Sequence, residues 1–327
     1  MTPLLAIRHH RVLRIVGASL ASLIALWVVG WLTAGDSLLV VRFGAYAAPW
    51  LAAIAIGTAG LLGAVRDWRW MTLALAAALL ISAPILPRFN PLRLWQPEPT
   101  GSLRVMTFNT SYSNGNFAAI ASLISSERPD IVFLQQLASL SKLQSVLRRT
   151  SIGFNYFSAP AHDDDTLILS RFPLSQVREF QQRTTAVAAI GGCRVRLWSL
   201  HAPHGQFAID EQAHYFYEAA RDIVVERMPV ILGGDLNSTE FDSSQAPLRG
   251  ELADAFSAAG FGPGFTFPSH ARRMGVLGPL VRIDHIFFRG LNAVSARTFR
   301  DGAGSDHLPV FAEFRLADSC RLNTGAQ

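Results

Sequence analysis

Cysteine is scarce: the 327 residues contain two, Cys193 and Cys320. Their spacing matches no metal-binding pattern, which excludes a thiolate-based metal centre. They can pair in an oxidising compartment, with Cys193 as a plain buried thiol the alternative. Internal repeats are absent. Charge is absent from three long runs, Ile15–Gly35, Phe43–Val65 and Trp70–Pro87. A basic surplus is also absent where it would matter for nucleic acid. Residues 1–100 hold eight of the 29 basic residues and three of the 24 acidic ones, so the remainder carries 21 of each sign. The pI of about 9.7 therefore belongs to the N-terminal third. A sequence-independent nucleic-acid binder needs a basic face to neutralise phosphates, and this balance argues against one.

The three charge-free runs account for the positive mean hydropathy of +0.25. Each approaches or exceeds the length that crosses about 30 Å of hydrocarbon. They predict three transmembrane helices within a membrane anchor at 1–87; a signal peptide would explain only the first run. Arg8, Arg11, Arg14, Arg66 and Arg69 flank one side and Arg42, Arg88 and Arg93 the other. That bias places the N-terminus in the cytoplasm and everything after the third span outside it, which in a bacterium is the periplasmic side of the inner membrane. Trp27, Trp31, Trp50, Trp68 and Trp70 lie near the span ends, where indoles favour the interface. The expected location is a multi-pass protein of the cytoplasmic membrane.

Residues 88–102, with Pro91, Pro97 and Pro99, read as a linker. From Leu103 short apolar strands alternate with amphipathic helices. Strands are expected at Leu103–Asn109, Asp130–Gln136, Asp165–Ser170, Cys193–Leu200, Pro229–Leu232, Arg282–Phe288 and Leu308–Leu316. Helices are expected at Phe117–Ser126, Leu137–Arg149, Asp210–Arg227, with Asp210 as N-cap, and Glu251–Ala259. Such alternation means a layered α/β domain over 103–316, followed by a polar tail at 317–327.

Five patches recur at strand ends in this region: VMTFN (Val105–Asn109), DIVFLQQ (Asp130–Gln136), GGDLN (Gly233–Asn237), RIDHIF (Arg282–Phe287) and SDHLP (Ser305–Pro309). Each sets a polar metal-ligand or acid–base residue within or at the end of an apolar run. Read singly, each has a structural explanation: an Asx turn at Asn109, an imidazole capping a loop at His201, a buried ion pair at Asp284 and His307. In this order the patches resemble the endonuclease/exonuclease/phosphatase superfamily, whose members hydrolyse phosphoesters with a divalent metal. The resemblance covers about 103–316. It implies an α/β four-layer sandwich, two packed mixed β-sheets flanked by helices, with the site at one edge.

The resemblance also implies roles. Asn109, Gln136 and Asp306 are the metal positions, for Mg2+ or Mn2+, cations that suit hard oxygen ligands. Gln136 departs from the family pattern, in which a Glu ends Leu-Gln-Glu; an amide brings no charge. Asp235 orients or deprotonates the attacking water, Asn237 donates hydrogen bonds to the developing phosphorane, and His201 bonds the scissile phosphate. Asp284 orients His307, making it a general acid–base or a phosphate-stabilising cation. His204 and Thr266 are candidate substrate contacts, each also explained as loop or core. The acidic run His162–Asp165 is either a cation binder or a solvated loop.

The layout resembles membrane proteins of the teicoplanin-resistance type, which implies a membrane-anchored phosphoesterase acting on a lipid phosphate, diphosphate or similar envelope substrate, with the bilayer as its partner. Two alternatives stay open. One is an extracytoplasmic nuclease acting on DNA, with Arg272, Arg273 and Arg282 as a phosphate-binding stripe. The other is a non-catalytic phosphate-binding membrane module, which rests on Gln136.

Overall fold

Short apolar strands buried on both faces set the architecture of the computed structural model. The structure describes residues 3–95, 102–150, 153–154, 156–157, 165–180, 182–205, 208–271 and 276–316. The expected polar tail, Cys320, Arg272, Arg273, the His162–Asp164 part of the acidic run and 96–101 of the expected linker lie outside them. The chain divides into a helical unit, Met1–Pro87 with Thr239–Ser243, and an α/β unit formed by the rest.

The helical unit contains α1 (Pro3–Ala34), α2 (Leu39–Tyr46), α3 (Ala48–Ala64) and α4 (Trp68–Ser82). Small residues let these helices approach closely: Ala45, Ala48, Ala52, Ala55, Ala77 and Ala78 form their buried core. Trp27 stacks on Trp31 with centroids 5.9 Å apart. The Trp31 indole donates to the Phe241 carbonyl at 2.9 Å. The outward side chains are apolar too, with Leu23, Leu26, Leu32 and Leu79 all more than 60% exposed. Of the three expected spans, the structure shows one plainly among the described residues. One helix, His9–Ser37, is long and apolar enough to cross a membrane. The second run is split into α2 and α3 at an angle of 84°. Pro49, in the first turn of α3, has no N–H with which to continue a helix from α2. The third run yields α4, only 15 residues long.

Among the described residues the α/β unit contains twelve strands: β1 (Leu103–Asn109), β2 (Ile131–Gln135), β3 (Tyr156–Phe157), β4 (Thr166–Ser170), β5 (Leu174–Phe180), β6 (Arg183–Ile190), β7 (Cys193–His201), β8 (Val230–Asp235), β9 (Ala253–Asp254), β10 (Asp284–Arg289), β11 (Asn292–Thr298) and β12 (Val310–Arg315). They form two six-stranded sheets, ordered β11-β12-β1-β2-β4-β3 and β5-β6-β7-β8-β10-β9. Each sheet has one parallel pair at its centre, β1–β2 or β7–β8, flanked by antiparallel neighbours. The helices are α5 (Phe117–Glu127), α6 (Leu140–Leu147), α7 (Ile209–Val224), α8 (Ala246–Glu251) and α9 (Ala255–Ala259).

Successive strand residues face opposite sides, and the burial follows that rule. Leu103, Val105, Phe133, Leu197, Ile231, Ile286 and Val310 meet in one core shared by both sheets. Met106, Phe108, Val132 and Leu134 turn outward onto α5 and α6. Leu200, Leu232 and Phe287 turn outward beneath α7 and α8. By the same parity Asn109, His201, Asp235 and Asp284 sit on the inter-sheet face, at strand ends. This places polar residues at the rim of the apolar core.

The local differences from the sequence expectation have plain causes. β5 and β11 were not expected because both are edge strands rich in polar residues, β5 largely exposed and β11 half-buried. Asp210 is in the first turn of α7 and does not cap it; a carboxylate there still favours the positive end of the helix. The start of the expected linker is tied down: Arg88 donates to Ser257 Oγ at 3.2 Å and Arg93 to the Gly260 carbonyl at 2.7 Å. Cys193 is disulfide-bonded.

Two glycines let β8 reach the rim. A Cβ on Gly233 would lie 2.3 Å from the Phe133 ring, and one on Gly234 would lie 2.1 Å from the Leu200 carbonyl oxygen. The second contact is with backbone of a paired strand, which cannot yield. Gly234→Ala is therefore expected to lower stability by about 2–3 kcal/mol, measured as the denaturation midpoint of the full chain in detergent. An unchanged midpoint would show that β7 and β8 are not paired in this register.

Candidate active site

Asp235 ends β8 at the rim, and its carboxylate is the centre of the site. Asn109 Nδ2, at the end of β1 in the other sheet, donates to Asp235 Oδ2 at 2.9 Å. The same oxygen is 3.7 Å from His307 Nε2 and 4.0 Å from His201 Nε2. His307 Nδ1 is 2.9 Å from Asp284 Oδ2. His201 Nδ1 is 2.7 Å from Asp165 Oδ1, and the Tyr112 hydroxyl donates to that oxygen at 2.8 Å. Two imidazoles, each held at Nδ1 by a carboxylate, thus flank one aspartate with their Nε2 atoms toward it.

Of the residues expected from the sequence, Asn109, His201, Asp235, Asp284 and His307 are brought into this one network. Asp306 is buried beside it, immediately before His307. Asn237 takes part through its backbone: its N–H donates to Asp235 Oδ1 at 2.9 Å. Its side-chain amide donates to the Ala202 carbonyl at 2.9 Å. Gln136 follows the end of β2 at a positive φ of 51°. Its side chain makes no hydrogen bond to the cluster among the described residues, whereas its backbone is fixed by Asp165 and Thr110.

Three expectations change. Thr266 was a candidate substrate contact, but it is wholly buried. Its hydroxyl accepts the backbone N–H groups of Ile283 and Asp284, both at 3.2 Å, so it supports Asp284 from below. His204 is exposed in the loop after β7 and its side chain makes no contact with the cluster among the described residues. Arg282 is no part of an open stripe: it is 3% exposed and grips Asp254 at 3.1 and 2.9 Å.

The sequence reading missed Asp165 and Tyr112. Asp165 was visible only as the last of several acidic residues, with nothing to single it out. It also missed Ser305, whose hydroxyl donates to the Asn109 carbonyl at 2.7 Å and accepts the His307 N–H at 3.1 Å. Gln212 from α7 was missed as well. Its amide nitrogen lies 2.7, 3.2 and 3.1 Å from the carbonyls of Pro203, Leu236 and Asn237. That amide helps hold Asn237 at its positive φ of 46°.

Electrostatics follow from these pairings. Burial pulls the His307 imidazole down, but the Asp284 and Asp235 carboxylates more than offset this and push it up to about 9. Burial acts the same way on His201 and is outweighed by the hydrogen bond to Asp165 and the charges of Asp235 and Asp165, so it too is raised. Asp165 is lowered despite its burial, through its bonds to His201 and Tyr112.

The donor set suits a divalent cation. Ligand atoms of Asp235, Asp284 and His307 all lie within 4.8 Å of one another, and all three residues are buried. Carboxylate oxygens are hard ligands. His307 can ligate only when neutral, so a cation there competes with its proton.

The sequence between residues 106 and 307 matches the model of the Endonuclease/Exonuclease/phosphatase family. Solved structures share the fold. The α/β part is similar to truncated TDP2 of Caenorhabditis elegans, at 26% identity and a TM-score of 0.52, covering 65% of this chain and 97% of that one. It is similar to TDP2 of D. rerio complexed with a single-strand DNA product, at 17% identity and a TM-score of 0.54, covering 65% and 99%. It is also similar to the mannosyl-6-phosphatase Bt3783 of Bacteroides thetaiotaomicron, at 19% identity and a TM-score of 0.52, covering 66% and 100%. No curated protein matches.

The His307 assignment can be read directly. In metal-free protein the His307 ring should titrate near 9 by NMR. Asp284→Asn should bring it down, because burial is then less opposed. Since the folded value exceeds that of a free imidazole, about 6.5, the stabilisation it carries is full below that pH and is lost as pH rises through about 9. A His307 that titrates at the ordinary value would refute the pairing.

Proposed function

The chain belongs to the endonuclease/exonuclease/phosphatase family and is a metal-dependent phosphoester hydrolase; we propose that it acts on a lipid phosphate, diphosphate or similar envelope substrate at the surface of the membrane that its helical unit enters. The observation that carries this reading is the helical unit itself, apolar outside as well as inside. A helix that is hydrophobic all round, without a polar face, belongs in lipid or in the core of a large protein. The proposed anchor spans residues 1–87 in three passes, the bent α2–α3 pair serving as the second, with the catalytic domain at 103–316 outside the cytoplasm. The Cys193 disulfide supports an oxidising compartment. The balance of 21 basic and 21 acidic residues beyond residue 100 favours a substrate other than a long polyanion.

In this reading Asp235 orients the attacking water and takes its proton. The Nε2 atoms of His307 and His201 face the carboxylate where the phosphoryl group must pass, and as imidazolium cations they oppose its growing negative charge. Asp284 and Asp165 keep each ring turned so that Nε2 faces inward. Asn237 donates to a phosphoryl oxygen. As the family resemblance implies, Asn109, Gln136 and Asp306 would hold the divalent ion, Mg2+ or Mn2+, through oxygens that suit such a cation. When bound, the ion would neutralise phosphate charge. His204, exposed in the loop after β7, is kept as the proposed contact for the substrate's head group.

A nuclease is the second reading, favoured by the likeness to a TDP2 structure holding single-strand DNA. A non-catalytic binding module is set aside, because the family is one of hydrolases and the Asp235–His307–Asp284 arrangement is complete.

Full-length protein in mixed micelles with Mg2+ or Mn2+ should turn over a lipid phosphate or diphosphate faster than DNA. Asp235→Ala should lower the rate by about 100-fold or more. Preferred cleavage of DNA would replace this reading by the nuclease; undiminished turnover in the variant would remove the site assignment. Gln136→Glu should tighten metal binding by adding a charge, measured by titrating Mn2+; an unchanged affinity removes Gln136 from the ligand set.

A further inference from the structure

A second buried polar network lies on the opposite face of β10 from the catalytic pair. Parity turns Asp284 toward the inter-sheet rim and His285 away from it. His285 is wholly buried. Its Nδ1 is 3.0 Å from Asp254 Oδ2 and its Nε2 is 3.2 Å from the Ser238 carbonyl. The ring lies nearly parallel to that of Phe287, 5.5 Å away at 14°. Asp254 is itself immobilised: Arg282 grips both of its oxygens, and Oδ1 accepts the Ser257 N–H at the start of α9 at 2.6 Å. Burying a carboxylate, a guanidinium and an imidazole costs more than burying apolar side chains of equal size, so the network is poorly explained by packing alone.

What the network holds is the turn that carries Asn237. A non-glycine residue at φ 46° persists only where its surroundings over-determine it. Gln212 takes the carbonyls of Leu236 and Asn237. The Ser238 carbonyl is taken by Gln245 Nε2 at 2.8 Å and by His285. Ser238 is also the last residue of the α/β unit before the Thr239–Ser243 segment, which clusters with the helical unit.

We infer that His285 is a positioning residue for phosphoester hydrolysis: anchored by Asp254 and Arg282, it pins the Ser238 carbonyl and so fixes Asn237 against Asp235. This rests on the hydrolase reading of the site. It assigns work to a residue that touches neither substrate nor metal, on a face of the sheet away from the reacting groups.

The two ring nitrogens can be tested separately. His285→Asn places an amide where Nδ1 was and keeps the Asp254 contact while losing Ser238. His285→Gln places an amide where Nε2 was and keeps the Ser238 contact. Full-length wild type and both variants are compared on whichever phosphoester the wild type turns over, with saturating Mn2+. The expected result is a kcat at least tenfold lower in His285→Asn, with KM within twofold, and a kcat within threefold of wild type in His285→Gln. Equal kcat values in the two variants, or a loss carried by KM, would overturn the inference while leaving the hydrolase reading intact. No turnover by wild type on any phosphoester would remove both.

Discussion

The hydrogen bond from Asn109 to Asp235 joins the last residue of a central strand in one sheet to the last residue of a central strand in the other. Everything at the site is arranged around it. The two sheets share an apolar core, and both end at the same rim. A carboxylate at that rim is nearly water-free, 1% exposed, and such a charge is tolerated only when partners surround it. Asn109, the Asn237 N–H, His307 and His201 supply them. Removing the sheet-to-sheet alignment would leave the same residues as isolated, costly charges.

The site is built from two similar pairs. His307 with Asp284 comes from the second sheet and the segment before β12; His201 with Asp165 comes from the end of β7 and the residue before β4. In each pair the carboxylate fixes which nitrogen carries the outer hydrogen bond, so the inner nitrogen is aimed before any substrate arrives. In the proposed reaction, preorganised cations of this kind would stabilise charge that develops on a phosphoryl group. The support extends outward: Thr266 beneath Asp284, Ser305 between Asn109 and His307, Tyr112 on Asp165. These contacts explain why so many polar residues near the rim are buried and bonded.

The helical unit follows different physics. Its interior is alanine-rich, which permits close packing, and its exterior carries large apolar side chains. In the α/β unit the central strands are short continuous apolar runs that stop at a polar residue, and they read clearly. In the helical unit apolar residues cover every face, so composition marks the segment but does not fix where helices break. Pro49 splits the second run, and the third yields a helix short for a span. Charge-free length alone therefore overstated the continuity of the helices.

By itself the sequence determined the α/β class, the central strands and the strand-end positions of Asn109, His201, Asp235, Asp284 and His307. It did so because a short apolar run that stops at a polar residue is a local property, and because five such patches in this order carry the family resemblance. Only the tertiary structure decided the pairings. That Asp165 and not its acidic neighbours meets His201, that Thr266 supports Asp284 instead of facing a substrate, and that Arg282 is committed to Asp254 all depend on residues brought together from distant segments. Sheet order and strand register set those distances, and neither is encoded in any single stretch of chain.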